Sequence, residues 1–137
     1  TESGLQCDAP TGSAFDGELA MGFKAVNDLC DRKEGFSALF AGGDTAALGA
    51  LRALRNRGIE VPEDVSVVGF NDEEFAVIAE PPLTTIRAPK EQVGAECVRL
   101  LNSTISEPQK KIEPLVLPVK LVLRESTARV AVKESVA

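Results

Sequence analysis

The sequence predicts an α/β fold, a three-layer arrangement with helices on both faces of a parallel sheet. Three observations lead there. The segments FSALFA, Phe36–Ala41, and VSVVGF, Val65–Phe70, are short apolar runs without polar alternation, the pattern of strands covered on both faces. Between them, Thr45–Arg57 carries Ala47, Leu48, Leu51 and Leu54 at helical spacing. Strand, helix and strand over Phe36–Phe70 thus form one βαβ unit, whose crossover is expected to be right-handed.

The remaining elements follow in chain order. Thr1–Asp16 is rich in Gly, Pro, Ser and Asp and reads as an extended piece plus loop. Glu18–Lys33 places Leu19, Met21, Phe23, Val26, Leu29 and Cys30 at largely helical spacing, with Gly35 as the expected stop. Gly42-Gly43 ends the first strand, and Asp44 reads as the N-cap of the next helix. Arg52, Arg55 and Arg57 crowd that helix's carboxyl end, where they suit its dipole, and Gly58 supplies the stop. Asp72–Glu80 reads as a short helix capped by Asp72 and ended by Pro81-Pro82. Leu83–Ile86 is extended. Pro89 pre-sets a helix over Lys90–Thr104, striped by Val93, Cys97, Leu100 and Leu101. After a polar turn, Leu115–Arg124 is the last strand, and Pro118 within it marks an edge or a crossing between sheets. Residues 131–137 are expected to fray.

Composition excludes several function classes. The 137 residues carry 15 Lys plus Arg against 21 Asp plus Glu, a net charge of −6 that disfavours a dedicated nucleic-acid surface. With no His, there is no His-based triad and no imidazole metal ligand. Cys7, Cys30 and Cys97 form no Cys-x-x-Cys pair, so zinc-ribbon and thioredoxin readings fail. They read as reduced thiols of a cytoplasm-type compartment, with Cys30 and Cys97 as small buried groups within helices. No phosphate-binding glycine motif occurs, and neither a cofactor nor a metal is expected. No apolar run reaches membrane-spanning length, and Thr1–Pro10 lacks the features of a signal peptide. A chain that starts with Thr reads as a processed or excised piece.

In open α/β sheets, ligands bind beyond the carboxyl ends of the strands. That rule selects Gly42, Gly43 and Asp44 after the first strand, and Asn71, Asp72 and Glu73 after the second. Glycine backbone, one amide and several carboxylates suit a neutral polyhydroxylated ligand better than a phosphate. Capping competes with ligand contact at Asp44, and chain reversal explains either glycine alone. Asn71 is the residue least explained by local structure. Phe15 and Phe75 could stack on a sugar face or pack in the core. Asp44 with Asp72 could make a catalytic carboxylate pair, yet no third group is positioned beside them, and no enzyme is expected.

The residues "ALFAGGDTAALGALRALRNRGIEVPEDVSVVGFND", Ala38–Asp72, followed by "PPLTTIRAP", Pro81–Pro89, and "LPVKLVLREST", Leu117–Thr127, resemble the LacI/GalR family of bacterial transcriptional regulators. The resemblance implies a periplasmic-binding-protein-like core of two subdomains, with an effector in the cleft between them. It implies a homodimer, and operator DNA read by an N-terminal helix-turn-helix absent from this chain. Occupancy would be coupled to DNA binding as two linked sites are. Residues 1–86 and 119–130 would be most of the C-terminal subdomain, and residues 87–118 a segment of an otherwise incomplete N-terminal one. The Val93 stripe would then lack its sheet, so the helix is expected to swap onto a neighbour or meet another polypeptide. Ligand contacts would come from Gly43, Asp44, Asn71, Asp72 and Phe15, although the family usually has Asn at Gly43 and Asp at Asn71. The dimer surface maps to Leu48, Leu51, Arg52, Phe75, Val77 and Ile78. The expected protein is cytoplasmic and free of the membrane, and senses a small polar metabolite, a sugar by this chemistry. An exported sugar receptor of a transport system is the alternative.

Overall fold

The computed structural model describes residues 17–33, 35–109 and 111–129. Their order is α1 (Glu18–Asp31), β1 (Ala38–Phe40), α2 (Asp44–Asn56), β2 (Ser66–Phe70), a 3₁₀ turn (Glu74–Val77), β3 (Thr84–Arg87), α3 (Lys90–Ser106) and β4 (Lys120–Val122). The four strands make one sheet in the order β1-β2-β3-β4. β1, β2 and β3 are parallel, with Leu39 opposite Val67 and Val68 opposite Thr84. The α/β class and its parallel sheet are as the sequence predicts. β4 differs: it runs antiparallel to β3 at the sheet edge, with Ile86 opposite Leu121. It also begins two residues after Pro118, because a proline cannot donate to the ladder.

Helices α1 and α2 pack closely on each other because glycine stands at each contact. A Cβ on Gly49 would lie 1.9 Å from the Leu19 carbonyl oxygen, and one on Gly22 would lie 1.9 Å from that of Ala46. Below them the core gathers Val26, Leu54, Val67 and Leu83 with Ala47, Ala50 and Ala53, all nearly free of solvent. α2 stops just before the predicted Gly58, whose φ is 69°. The Gly58 amide reaches the Arg55 carbonyl and the Ile59 amide that of Leu54, which satisfies the last turn.

Several expectations are corrected. α1 ends at Asp31, and Lys33 takes the left-handed turn at φ 57° in place of Gly35. The strands are not covered on both faces among the described residues. β2 alternates, burying Val67 and Gly69, while Ala38 and Phe40 of β1 are exposed. Apolar runs alone do not say which neighbour arrives to cover them. Cys97 is exposed on α3, which buries none of its residues, and Val93, Leu101 and Ile105 stand open to solvent. The segment Asp72–Glu80 contains only the 3₁₀ turn, with Glu73 at its N-cap position and no side-chain cap. Asp72 cannot serve there because its own backbone is left-handed, at φ 51°.

Candidate functional site

The carboxyl edge of the sheet is organised around one buried carboxylate. Asp44 is 1% exposed and is the first residue of α2; Gly43 holds the N-cap position, which corrects the capping role expected for Asp44. Its Oδ1 accepts from the Thr85 hydroxyl on β3 at 2.5 Å, and its Oδ2 accepts from the Glu73 amide at 2.7 Å. The carboxylate therefore ties the segments that follow β1 and β2 to the body of β3, and it needs Gly69 in β2 to do so. A Cβ there would stand 2.2 Å from Oδ1. This contact brings together the two loops that the sequence selects.

The loop after β2 is held in an uncommon backbone shape. Asn71 has φ 104° and Asp72 has φ 51°, both in the left-handed region that asparagine and aspartate tolerate better than other side chains. The Asn71 amide donates to the Ile86 carbonyl at 2.8 Å, fixing the loop on β3. The Asn71 side chain is left half-buried at the rim of an open concavity of about 410 Å³. Asp72, Arg87, Pro89, Lys90 and Glu91 also line it.

Asp72 does not stand free in that concavity. Its Oδ2 accepts from Arg87 Nε at 2.5 Å and its Oδ1 from an Arg124 terminal nitrogen at 2.6 Å. Burial pushes the Asp72 carboxyl up, but the hydrogen bonds and charges of Arg124 and Arg87 outweigh it and hold the group below its ordinary value. Arg124 also donates to the Leu83 carbonyl at 2.7 Å. Next to it, Ser126 is fully buried, donating to the Val67 carbonyl at 2.6 Å and accepting from the Thr84 amide at 2.8 Å. These links stitch the segment after β4 to β2 and β3.

Sequence reasoning missed Thr85, Arg87, Arg124 and Ser126. The one available signal was polar residues placed inside or at the ends of otherwise apolar strands. Gly43 is buried, and Glu18 Oε2 lies 3.2 Å from where its Cβ would stand. Gly43 does not line the concavity. Phe15 lies outside the described residues. The carboxylate pair considered for catalysis is engaged otherwise, Asp44 by Thr85 and Glu73, Asp72 by the two arginines. Among the described residues no three acidic or thiol groups converge as a metal site requires, and no helix is long and apolar enough to cross a membrane.

The six residues mapped to a dimer surface divide in two. Leu51 is 6% exposed and belongs to the core, with Leu48 packed half-buried against it. Phe75 is also half-buried. Val77 and Ile78 are 57% and 79% exposed. Arg52 is exposed, its guanidinium carbon 5.8 Å from the centre of the Phe23 ring.

Residues 3–127 match the periplasmic binding protein-like domain family. The HTH-type transcriptional regulator CelR of Thermobifida fusca is 40% identical over 124 residues, 90% of this chain and 36% of that protein. The solved complex of CelR with cellobiose superposes with a TM-score of 0.72 at 42% identity, over 79% of this chain and 33% of the other. A lac repressor dimer bound to operator and the anti-inducer ONPF gives 0.71 at 34% identity, over 80% and 38% of the two chains. A LacI family transcriptional regulator from Enterococcus faecium with bound ribose gives 0.68 at 32% identity, over 82% and 41%. The chain spans about a third of the length of the curated relatives it matches.

Proposed function

Because this chain belongs to the periplasmic binding protein-like domain family, as it occurs in LacI-type transcriptional regulators, we propose that it is the effector-sensing and dimerising portion of such a regulator. Its ligand is a small neutral polyhydroxylated metabolite, a sugar. The observation that carries this reading is Asn71: a half-buried amide on a left-handed backbone, at the carboxyl end of a parallel strand, on the rim of a concavity. An amide both donates and accepts, as hydroxyl recognition requires. The relatives solved with cellobiose and with ribose support a sugar as the class.

In this reading residues 1–86 and 119–130 are the C-terminal subdomain and residues 87–118 belong to the other one. The effector sits between them, contacted by Asn71, while the buried Gly43 and Asp44 shape the neighbouring loop. Asp44 acts mainly by locking the two loops together. The homodimer forms through the exposed groups Arg52, Val77 and Ile78 with the edges of Leu48, Leu51 and Phe75. Operator DNA is read by a helix-turn-helix outside this chain, in the cytoplasm, and effector occupancy changes the relation of the two DNA-reading heads. No residue is assigned a catalytic role.

The test is operator binding by the full-length regulator, measured with and without cellobiose, ribose and a wider set of neutral sugars. A change in operator affinity of at least tenfold with one sugar is expected. No response to any of them would overturn the sensing role.

A further inference from the structure

We propose, resting on the sensing reading above, that Arg87 donates hydrogen bonds to hydroxyl oxygens of the neutral sugar, and that Asp72 is the positioning residue that aims it. The two arginines on Asp72 are used differently. Arg124 is 14% exposed, and one terminal nitrogen goes to Leu83 while the other goes to Asp72. Arg87 is 55% exposed and engages Asp72 through Nε alone. Its two terminal nitrogens have no hydrogen-bond partner among the described residues.

Asp72 thus holds one arginine that is spent on the fold and another with donors left over. Those donors belong to a residue lining the concavity that Asn71 rims. Lys90, the other base on that wall, is committed to Glu73 at 2.8 Å. A guanidinium fixed at Nε keeps a planar pair of donors at a set spacing, which a flexible ammonium cannot. Adjacent hydroxyl oxygens on a sugar ring match such a pair. The charged residues of the wall, Asp72, Arg87, Lys90 and Glu91, are two acids and two bases. With no net charge there, the wall offers no general field to select an acidic ligand, and the guanidinium acts as a shaped donor. Asn71, on the same rim, supplies an acceptor as well as a donor.

The experiment measures sugar binding by calorimetry on the full-length regulator, with cellobiose, ribose and glucuronate as probes. The variants are R87M, D72N and the double variant, with R99M on exposed α3 as control. The wild type is expected to bind a neutral probe more tightly than glucuronate, and R87M to bind that probe at least tenfold more weakly, with only the small loss of thermal stability that a half-exposed ion pair carries. D72N is expected to weaken binding in the wild-type background and to add nothing further in R87M, the signature of a residue acting through Arg87. R99M should bind as the wild type. Unchanged binding by R87M would overturn the contact, and a further loss in the double variant would overturn the positioning role. A wild type that prefers glucuronate would overturn the neutral ligand. A wild type that binds operator but neither these probes nor any of the wider set of neutral sugars instead removes the sensing reading, and this inference falls with it.

Discussion

The Asp44 carboxylate and the Thr85 hydroxyl meet at 2.5 Å, with Asp44 1% exposed and Thr85 fully buried. Asp44 opens α2 and Thr85 lies within β3, 41 positions later. Their contact, with the Glu73 amide on the other oxygen, sets the spacing of the loops that bear Gly43 and Asn71.

Removing that carboxylate leaves two donors without an acceptor in a dry place. Asp44→Ala is therefore expected to lower stability by about 3 kcal/mol, from the penalty of stranded buried donors. Chemical denaturation checks the size. Thr85→Val should restore part of the loss in the Asp44→Ala background, since one stranded donor is then gone.

Glycine substitutions should rank by what their Cβ meets. Gly69→Ala strikes the Asp44 carboxylate, which can shift, and is expected to lower stability by about 1–3 kcal/mol. Gly49→Ala strikes the Leu19 backbone carbonyl at 1.9 Å, which can move only if α1 moves away. It is expected to be the more damaging of the two. Thermal unfolding midpoints in the order wild type, Gly69→Ala, Gly49→Ala would bear this out, and the reverse order would refute it.

Acid should act on Asp72 in a defined direction. Its folded value is held below the ordinary 3.8, so the paired carboxylate contributes stability above that pH and loses it as pH falls through the folded value. The stability gap between wild type and Asp72→Asn should stay level from neutral pH down to about 4 and close below it. Denaturation midpoints of both proteins across that range provide the check, and a gap that widens in acid contradicts the ion pair.

The proposed dimer surface should separate association from folding. Ile78→Glu places a charge on a group 79% exposed, so the monomer's fold should be unaffected while self-association weakens at least tenfold in sedimentation measurements. Leu51→Ala should do the opposite, lowering stability by about 2–4 kcal/mol because it opens a cavity in the core. An Ile78→Glu protein that still dimerises as the wild type would move the interface elsewhere.

Asn71 offers a clean split between binding and folding. Its φ of 104° suits glycine at least as well as asparagine, so Asn71→Gly should keep stability and lose effector binding. Sugar titration beside a melting curve reads both at once.

Much of the fold is legible in the sequence because local rules decide it. Apolar runs mark β1 and β2, the extended segment Leu83–Ile86 marks β3, helical spacing marks α1, α2 and α3, and Gly58 marks a helix end with its φ of 69°. The topological rule points at the loops of Asp44 and Asn71 from the sequence alone. It could not say that Asp72 would leave its expected cap for Arg87 and Arg124, because those partners are 15 and 52 positions away.

By itself, then, the sequence determined the α/β class, the family resemblance, the absence of imidazole chemistry and the sheet edge proposed for the ligand. These depend on composition and on spacings within one turn or one strand. Tertiary structure alone decided the antiparallel course of β4, the exposure of Cys97 and α3, and the division of labour between two carboxylates. Asp44 became a buried brace and Asp72 an anchor for two arginines. A buried charge takes whatever donors the fold brings within hydrogen-bond reach, and that reach is set in space rather than along the chain.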